Sequence, residues 1–530
     1  MAKNSTKGGF FESSIMRSRI KNPNVTLFPE AGLGYLVGPL LALISNGIIN
    51  IWLVQYWDKV LGMGEWGAVL ETLIPIVSAV LIVVGNLFVG RLLEKKPTLA
   101  GKARPLILIG MPVILVSFLF LFLFPTFSAE GVEKVNVWTS IVAAIGYNLY
   151  YALAWPLYYT SHSALVNLST RDGGKRGLLS TCIMAAQLGA AGVSGMAGGI
   201  LVDLLKLLPV YTYTPTGIAA YETVYGSKLA TGVTITNDFT QVSKLQEGID
   251  YTVDVTRAAA NDRWFVLMIV MIVTLIAGCI LEYFFTRERI TEEQVKIEAE
   301  SNSTKETKKV SMGEQAKICL HDKYWWIIII FFFLYQFGGM MKNNGISFYS
   351  QAMTGGNTFS SMITTVGAIP TAAGMAIVWP IANKIGKSKT IAFGGFLALA
   401  GAAIAFIGLV PSLVDSQPLF TLMDAPLNVS GIIAVVAFVV KALGSAPAMY
   451  IALAVMALIL DHQEAEYGVR TDGFTMAVYG SIMVAMSGLC NGIIVGINAI
   501  CPDIATKRVV HTILSYGVEG LCYLAMSIMF

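Results

Sequence analysis

Apolar residues fill long, nearly uninterrupted runs along the chain, and polar residues gather in the segments between them. Twelve such runs stand out: 32–56, 66–93, 104–125, 136–166, 177–207, 263–285, 324–350, 358–384, 388–411, 430–460, 472–499 and 509–529. Each supplies the ~20 residues a helix needs to cross the hydrocarbon core of a bilayer. Lipid offers no partner for free backbone N–H and C=O groups, so these spans must be helices. The short alternating strands of a membrane barrel are absent from the pattern. The most polar long stretch, 286–323, divides the runs into six and six. The pattern predicts an all-α membrane protein with twelve transmembrane helices. It has an amino-terminal segment 1–31, a six-helix half 32–285, a central loop 286–323 and a second half 324–530.

Composition agrees. The chain is 55% hydrophobic and 13% charged, where soluble domains carry about 25% charged residues. A net charge of +3 builds no basic face for nucleic acid. Of the 36 Lys and Arg residues, 25 fall on the side of the amino terminus and 9 on the other. The positive-inside rule then puts both termini and the central loop in the cytosol, as expected for a multi-pass protein of the cell membrane. The first 31 residues carry five cations and no apolar core, so no cleavable signal is expected. Six Cys without CxxC spacing read as small buried thiols. His162, His321, His462 and His511 are scattered, with no HExxH motif, and no GxxxxGK[ST] loop occurs. Neither an enzyme nor a cofactor is implied, and a monomer is expected. Within the central loop, 311–323 reads as a short amphipathic helix. The outer loop 208–262 is rich in Thr, Val and Tyr, which favours short strands and a small hairpin cap.

The halves look like distant copies. Short charged inner loops recur at matching places: GRLLEKKPTLAGKARP from Gly90 and ANKIGKSKT from Ala382, then TRDGGKRG from Thr170 and DHQEAEYGVRTDG from Asp461. Internal repeats around a central site are the usual plan of secondary transporters. Four stretches make the likeness specific. They are Gly101-Lys102-Ala103-Arg104-Pro105 into span 3, Ala164-Leu165 through Thr170 and Asp172 to Arg176, the entry to span 7 with its Phe348-Tyr349 end, and Asp461 and Glu464 through Gly468 and Arg470. Here the chain resembles the glycoside–pentoside–hexuronide:cation symporter family, the melibiose-carrier branch of the major facilitator superfamily. The resemblance implies twelve helices, alternating access, a sugar-type solute, and Na⁺ or H⁺ as coupling ion. It also implies that spans 1, 4, 7 and 10 line the path. The family's paired acids on helix 2 would fall at Ile82 and Asn86, which leaves Asn86 as the only polar residue there for a cation.

A sugar site needs aromatic faces for C–H surfaces and amide or charged groups for hydroxyls, near the midplane between the halves. The candidates are Asn46 and Asn50 on span 1, Trp155 and Tyr159 on span 4, Gln187 on span 5, Lys342 and Asn343 on span 7, Lys441 on span 10 and Tyr479 on span 11. Asn46 and Asn50 share one helix face, as do Trp155 and Tyr159. Either pair could equally serve as packing or interhelical hydrogen bonding. A buried ammonium is costly, so Lys342 and Lys441 read as contacts to an anionic group such as a uronate or as members of structural ion pairs. Glu71, Asp203, Glu282 and Glu519 read as lying near helix ends or at lipid depth, which leaves few partners for such pairs. The inner-loop charges Arg91, Glu94, Asp172, Arg176, Asp461, Glu464 and Arg470 read as a gate that pairs across the halves, or as solvated loop charges. The expectation is a secondary transporter of a glycoside, pentoside or hexuronide. A carrier of a lipid or organic anion, a uniporter, and a non-transporting sensor of the same fold are the alternatives.

Overall fold

The computed structural model describes the chain except residues 1–10, 12, 62–66, 96–97, 99, 126–136, 226–233, 238, 301–310, 355–357, 415–418, 423–424, 470, 502–503 and 530. The first half holds Leu27–Val37 running into Gly38–Gln55 (span 1), Gly67–Leu93 (span 2), Arg104–Phe118 extended by Leu119–Leu123 (span 3), Val137–Asn148 through Leu149–Ala154 to Trp155–Ser169 (span 4), Gly173–Leu204 (span 5) and Arg257–Phe285 (span 6). The second half holds Lys323–Thr354, Thr358–Ile385, Lys387–Val414, Val429–Tyr467, Asp472–Ile500 and, for span 12, Ile504–Thr512 through Ile513–Gly517 to Val518–Met529. Eleven segments among the described residues are long and apolar enough to cross a bilayer. The twelfth long helix is span 8, Thr358–Ile385.

The two halves share one packing scheme. Span 1 lies against 5 and 6, and span 7 lies against 11 and 12; span 4 packs on 2 and 3 as span 10 packs on 8 and 9. Between the halves, span 2 packs on span 11 and span 5 on span 8, pairs that exchange when each span moves by six. The architecture is therefore a twelve-helix bundle of two pseudo-symmetric halves.

Proline and glycine shape span 4. Pro156 has no N–H to give the carbonyl of Ala152, four residues earlier. The helix winds wider over Leu149–Ala154, just before it. Span 2 approaches at this point: a Cβ on Gly85 would lie 1.6 Å from the Ala152 oxygen. Only glycine fits at this crossing of spans 2 and 4.

The face that carries the central segment is called inner below. There the Gly101–Arg104 stretch has a direct physical explanation. Glu288, just after span 6, accepts the backbone N–H groups of Lys102, Ala103 and Arg104 at 2.8, 3.0 and 3.0 Å. These are orphan donors at the start of span 3. Gly101 has φ +109, and a Cβ there would meet the same carboxylate at 2.3 Å. Arg104 in turn donates to the carbonyls of Tyr283 and Ala100. Beside it, Arg289 pairs with buried Glu30 at 2.6 Å and donates to the carbonyls of Asn22, Pro23 and Asn24. The amino-terminal segment is thus strapped to the central one.

The central segment, expected as a loop, holds two helices among its described residues. Arg289–Glu300 was not foreseen; Met312–His321 matches the amphipathic stretch and starts at a capping box between Ser311 and Glu314. On the opposite face, β1 (Val210–Tyr213), β2 (Ile235–Thr236) and β3 (Tyr251–Val255) form an antiparallel sheet in the order β2-β1-β3, joined by a helix Pro215–Tyr225. Tyr211, Tyr213, Val242, Leu245 and Tyr251 give it a small core of its own. A second hairpin pairs β4 (Phe420–Leu422) with β5 (Ala425–Leu427) between spans 9 and 10.

Replacing Glu288 by Ala leaves two buried donors and one half-buried donor without that acceptor. At about 1 kcal/mol or more for each, Glu288→Ala should cost about 3 kcal/mol, and Glu288→Gln less, as read by thermal denaturation of the purified protein.

Candidate functional site

The interface between the halves is polar in two zones. The first is central. Trp155 and Tyr159, one turn apart on span 4, stack with centroids 5.7 Å apart and planes 19° apart. Gln187 of span 5 donates to the Tyr159 hydroxyl at 3.3 Å. Tyr479 of span 11 meets the same hydroxyl from the other half, and Tyr335 of span 7 lies within electrostatic reach of it. Four of the sequence candidates are therefore brought together, with Tyr335 added.

Asn46 and Asn50 sit behind this group. Each accepts a hydrogen bond from span 4, Asn46 from Tyr150 at 3.2 Å and Asn50 from Tyr151 at 2.5 Å. Part of their capacity thus goes to fastening span 1 to span 4, and each keeps an NH₂ group. Asn86 is buried; it accepts from Thr160 at 2.8 Å and donates to its own helix at Ile82. Gly480 of span 11 packs directly on that pair. Asn86 is a polar knot at a close crossing of the halves.

Lys342 and Lys441 converge on one carboxylate, Glu519 of span 12. Lys441 is bonded to it directly, and Lys342 Nζ lies 3.9 Å from Oε1. Aromatic faces complete the enclosure, Tyr516 at 4.6 Å and Phe438 at 4.9 Å from the Lys441 ammonium. The sequence reading set Glu519 at a helix end or at lipid depth; it lies within the bundle and supplies the counter-charge. Two ammonium groups share one carboxylate, and Lys342 keeps 22% of its side chain exposed while Lys441 keeps 2%. Asn343, the next residue, is exposed.

The second zone is at the inner end. Arg176 pairs with Asp461 across the halves at 3.3 Å. Glu464 faces Arg171 at 3.9 Å, a residue the sequence reading passed over. Glu94 accepts the backbone N–H of Gly473 at 2.8 Å, at the start of span 11, and bonds the Gln315 side chain. Spans 2 and 11 nearly touch here: a Cβ on Gly90 would lie 2.7 Å from the Gly473 carbonyl. Asp172 instead caps its own loop, accepting from Gly174 and Lys175, and Arg91 is exposed. Arg470 lies outside the described residues. Buried Asn167 reaches Met476 just above the ion pairs. The inner end is closed by bonds that a rigid rotation of one half would break together, without unfolding either.

Two similar halves, a polar centre between them and a breakable seal on one side define a membrane carrier rather than an enzyme. The chain belongs to the family described as MFS/sugar transport protein, whose model matches residues 34–512. It is a multi-pass secondary transporter of that superfamily. Among solved structures, the fucose:proton symporter FucP of E. coli matches with a TM-score of 0.52 at 11% identity, covering 94% of this chain and 98% of that one. A bacterial homologue of the iron transporter ferroportin in an outward-facing state matches with a TM-score of 0.56 at 10% identity, covering 94% and 97%. At such identities the likeness is one of fold. No curated protein matches the chain.

Two predictions concern the inner seal. Asp461→Arg faces Arg176 and Arg171 with a like charge. It should lengthen the distance between spin labels at K175C and E466C, and the double change R176D/D461R should restore it. Each pair is worth only ~0–1 kcal/mol, so the protein should stay folded. Burial, and next the charge of Asp472, push the Glu94 carboxyl above its ordinary value in this closed arrangement. A raised carboxyl is stabilised by protonation, so the closed arrangement gains as pH falls through that raised value and loses as pH rises through it. The label distance should shorten on acidification, and Glu94→Gln should remove that dependence.

Proposed function

We propose that the protein carries a sugar-type solute across the cell membrane by alternating access, with both termini in the cytosol. The observation that carries this reading is the Trp155–Tyr159 stack with the Gln187 amide and the Tyr479 hydroxyl beside it. A flat aromatic face next to amide and hydroxyl groups suits a pyranose, which has apolar C–H faces and an equator of hydroxyls. Its position between the halves lets both halves hold one solute. The description of the family supports the same class.

Within that class, an acidic sugar fits best. The cluster of Lys342, Lys441 and Glu519 is one positive charge in excess, and the partly exposed Lys342 can offer that charge to a solute carboxylate. A uronide would bind its ring on span 4 and its acid on span 7. Lys441 then acts by holding Glu519 rather than by touching solute. A uniporter is the second reading, and it rests on Ile82 and Asn86, which place no carboxylate on span 2.

Counterflow in proteoliposomes tests this directly. Vesicles loaded with a neutral glycoside, a pentoside or a uronide should exchange the uronide best, and Lys342→Ala should reduce that exchange about tenfold or more while sparing neutral sugars. Trp155→Ala should reduce exchange of every sugar. Equal exchange of neutral and acidic sugars by wild type and Lys342→Ala would remove the acidic preference. Silence across the panel from a folded protein would remove the sugar.

A further inference from the structure

A group of buried titratable side chains that solute recognition leaves unused lies where span 4 meets span 6. Glu282 and His162 are both fully buried, with Nδ1 of the histidine 2.5 Å from Oε1 of the carboxylate. The Tyr158 hydroxyl donates to Oε2 at 3.1 Å, and its ring stacks on the imidazole with planes 15° apart. Among the described residues, His162 is the one basic side chain paired with Glu282. The other imidazole nitrogen, Nε2, is buried and has no hydrogen-bond partner.

Among the described residues, no competing charge lies within bonding distance of the pair. From span 1, Tyr35 lies within electrostatic range of Glu282, and Cys279 does so from span 6 itself. Tyr159 lies beyond the histidine on span 4, with ring centroids 6.1 Å apart. Arg104, Glu288, Arg289 and Glu30, charges within electrostatic range of Tyr35, are engaged with one another and with backbone groups at the inner face.

We propose that His162 and Glu282, oriented by Tyr158, form the proton-binding site of the carrier, on spans 4 and 6 rather than on span 2. This rests on reading the protein as a solute carrier. The balance is simple. With a neutral imidazole and an ionised carboxylate the site holds one buried negative charge, which is costly without a counter-ion. One proton from water brings it to neutrality, either as imidazolium facing carboxylate or as neutral imidazole facing carboxylic acid. The proton is bound and released, and no bond to solute is made. Nε2 is where the proton enters, because Nδ1 is already committed to Glu282. A protonated Nε2 needs an acceptor, which the closed arrangement does not give it; water reaching it when the inner seal opens would. The ring contact between His162 and Tyr159 puts the site one side chain from the proposed solute platform. A solute that moves Tyr159 therefore moves the imidazole.

The test uses the full chain, labelled with ¹⁵N-histidine and held in lipid nanodiscs. The chain has four histidines, so the His162 signal is identified by its loss in His162→Gln. The proposal expects that signal to change as pH is varied, in the charge of the imidazole or in which ring nitrogen carries the proton. Glu282→Gln should alter that response, and Glu282→Asp should bring it back towards wild type. A His162 signal that keeps one charge and one tautomer as pH is varied overturns the proposal, as does a pH response unchanged by Glu282→Gln. The solute experiment adds an independent arm. With whichever sugar exchanges in counterflow, Glu282→Gln should keep exchange and lose at least tenfold of the accumulation driven by an inward proton gradient; full accumulation in that variant overturns the coupling role. Silence in counterflow bears only on the sugar, since the histidine titration needs no solute.

Discussion

A polar group inside a bilayer protein must find a partner, and here many of those partners are on a different span. This requirement organises the molecule. Asn46 and Asn50 fasten span 1 to span 4 through tyrosine hydroxyls, Glu519 holds the lysines of spans 7 and 10, and Glu282 holds His162 and Tyr158 across spans 6 and 4. Each half is thereby made rigid by bonds within it. Between the halves the described bonds are fewer and weaker, and several lie where water can replace them. Such a division suits a bundle whose halves move as two bodies.

The inner face adds a second layer to the same logic. Glu288 caps the start of span 3 from the end of span 6, and Arg289 pins the amino-terminal segment to Glu30. These charges are locked within the first half. The Arg176–Asp461 and Arg171–Glu464 pairs cross between halves. Burial of the carboxylates separates the two sets: enclosed Glu30 and Glu288 brace a body, and partly exposed Asp461 and Glu464 join bodies that must part.

How much of this the sequence carries depends on the physical signal. Long apolar runs are read directly, because crossing a bilayer demands them, and the twelve spans follow. The strands of the outer loop show in its Thr, Val and Tyr content; the helix Pro215–Tyr225 does not, since its amphipathic signal is short. Trp155 and Tyr159 are legible as a pair through their four-residue spacing. Their partner Tyr479 is a candidate only by residue type. Spans that are apolar all round hide which face is inward, so the sequence cannot show Glu519 turned to Lys441. Nor can it join His162 to Glu282, which lie 120 residues apart. Of the inner-loop charges, Arg176, Asp461 and Glu464 lie in the family-like motif and pair across the halves, whereas Asp172 turns to its own loop. Arg171, an unspecified position within that motif, and Gln315, outside it, become visible only once the inner ends of the two halves are seen to meet.

Alternating access requires the inner seal to open in every transport cycle. A short bifunctional cross-linker joining cysteines placed at Arg171 and Glu464 tests this most directly. If the two halves rock about the central site, the linked carrier should lose solute exchange, and a cleavable linker should return it on cleavage. Exchange that continues at the wild-type rate with the inner ends held together would contradict the account.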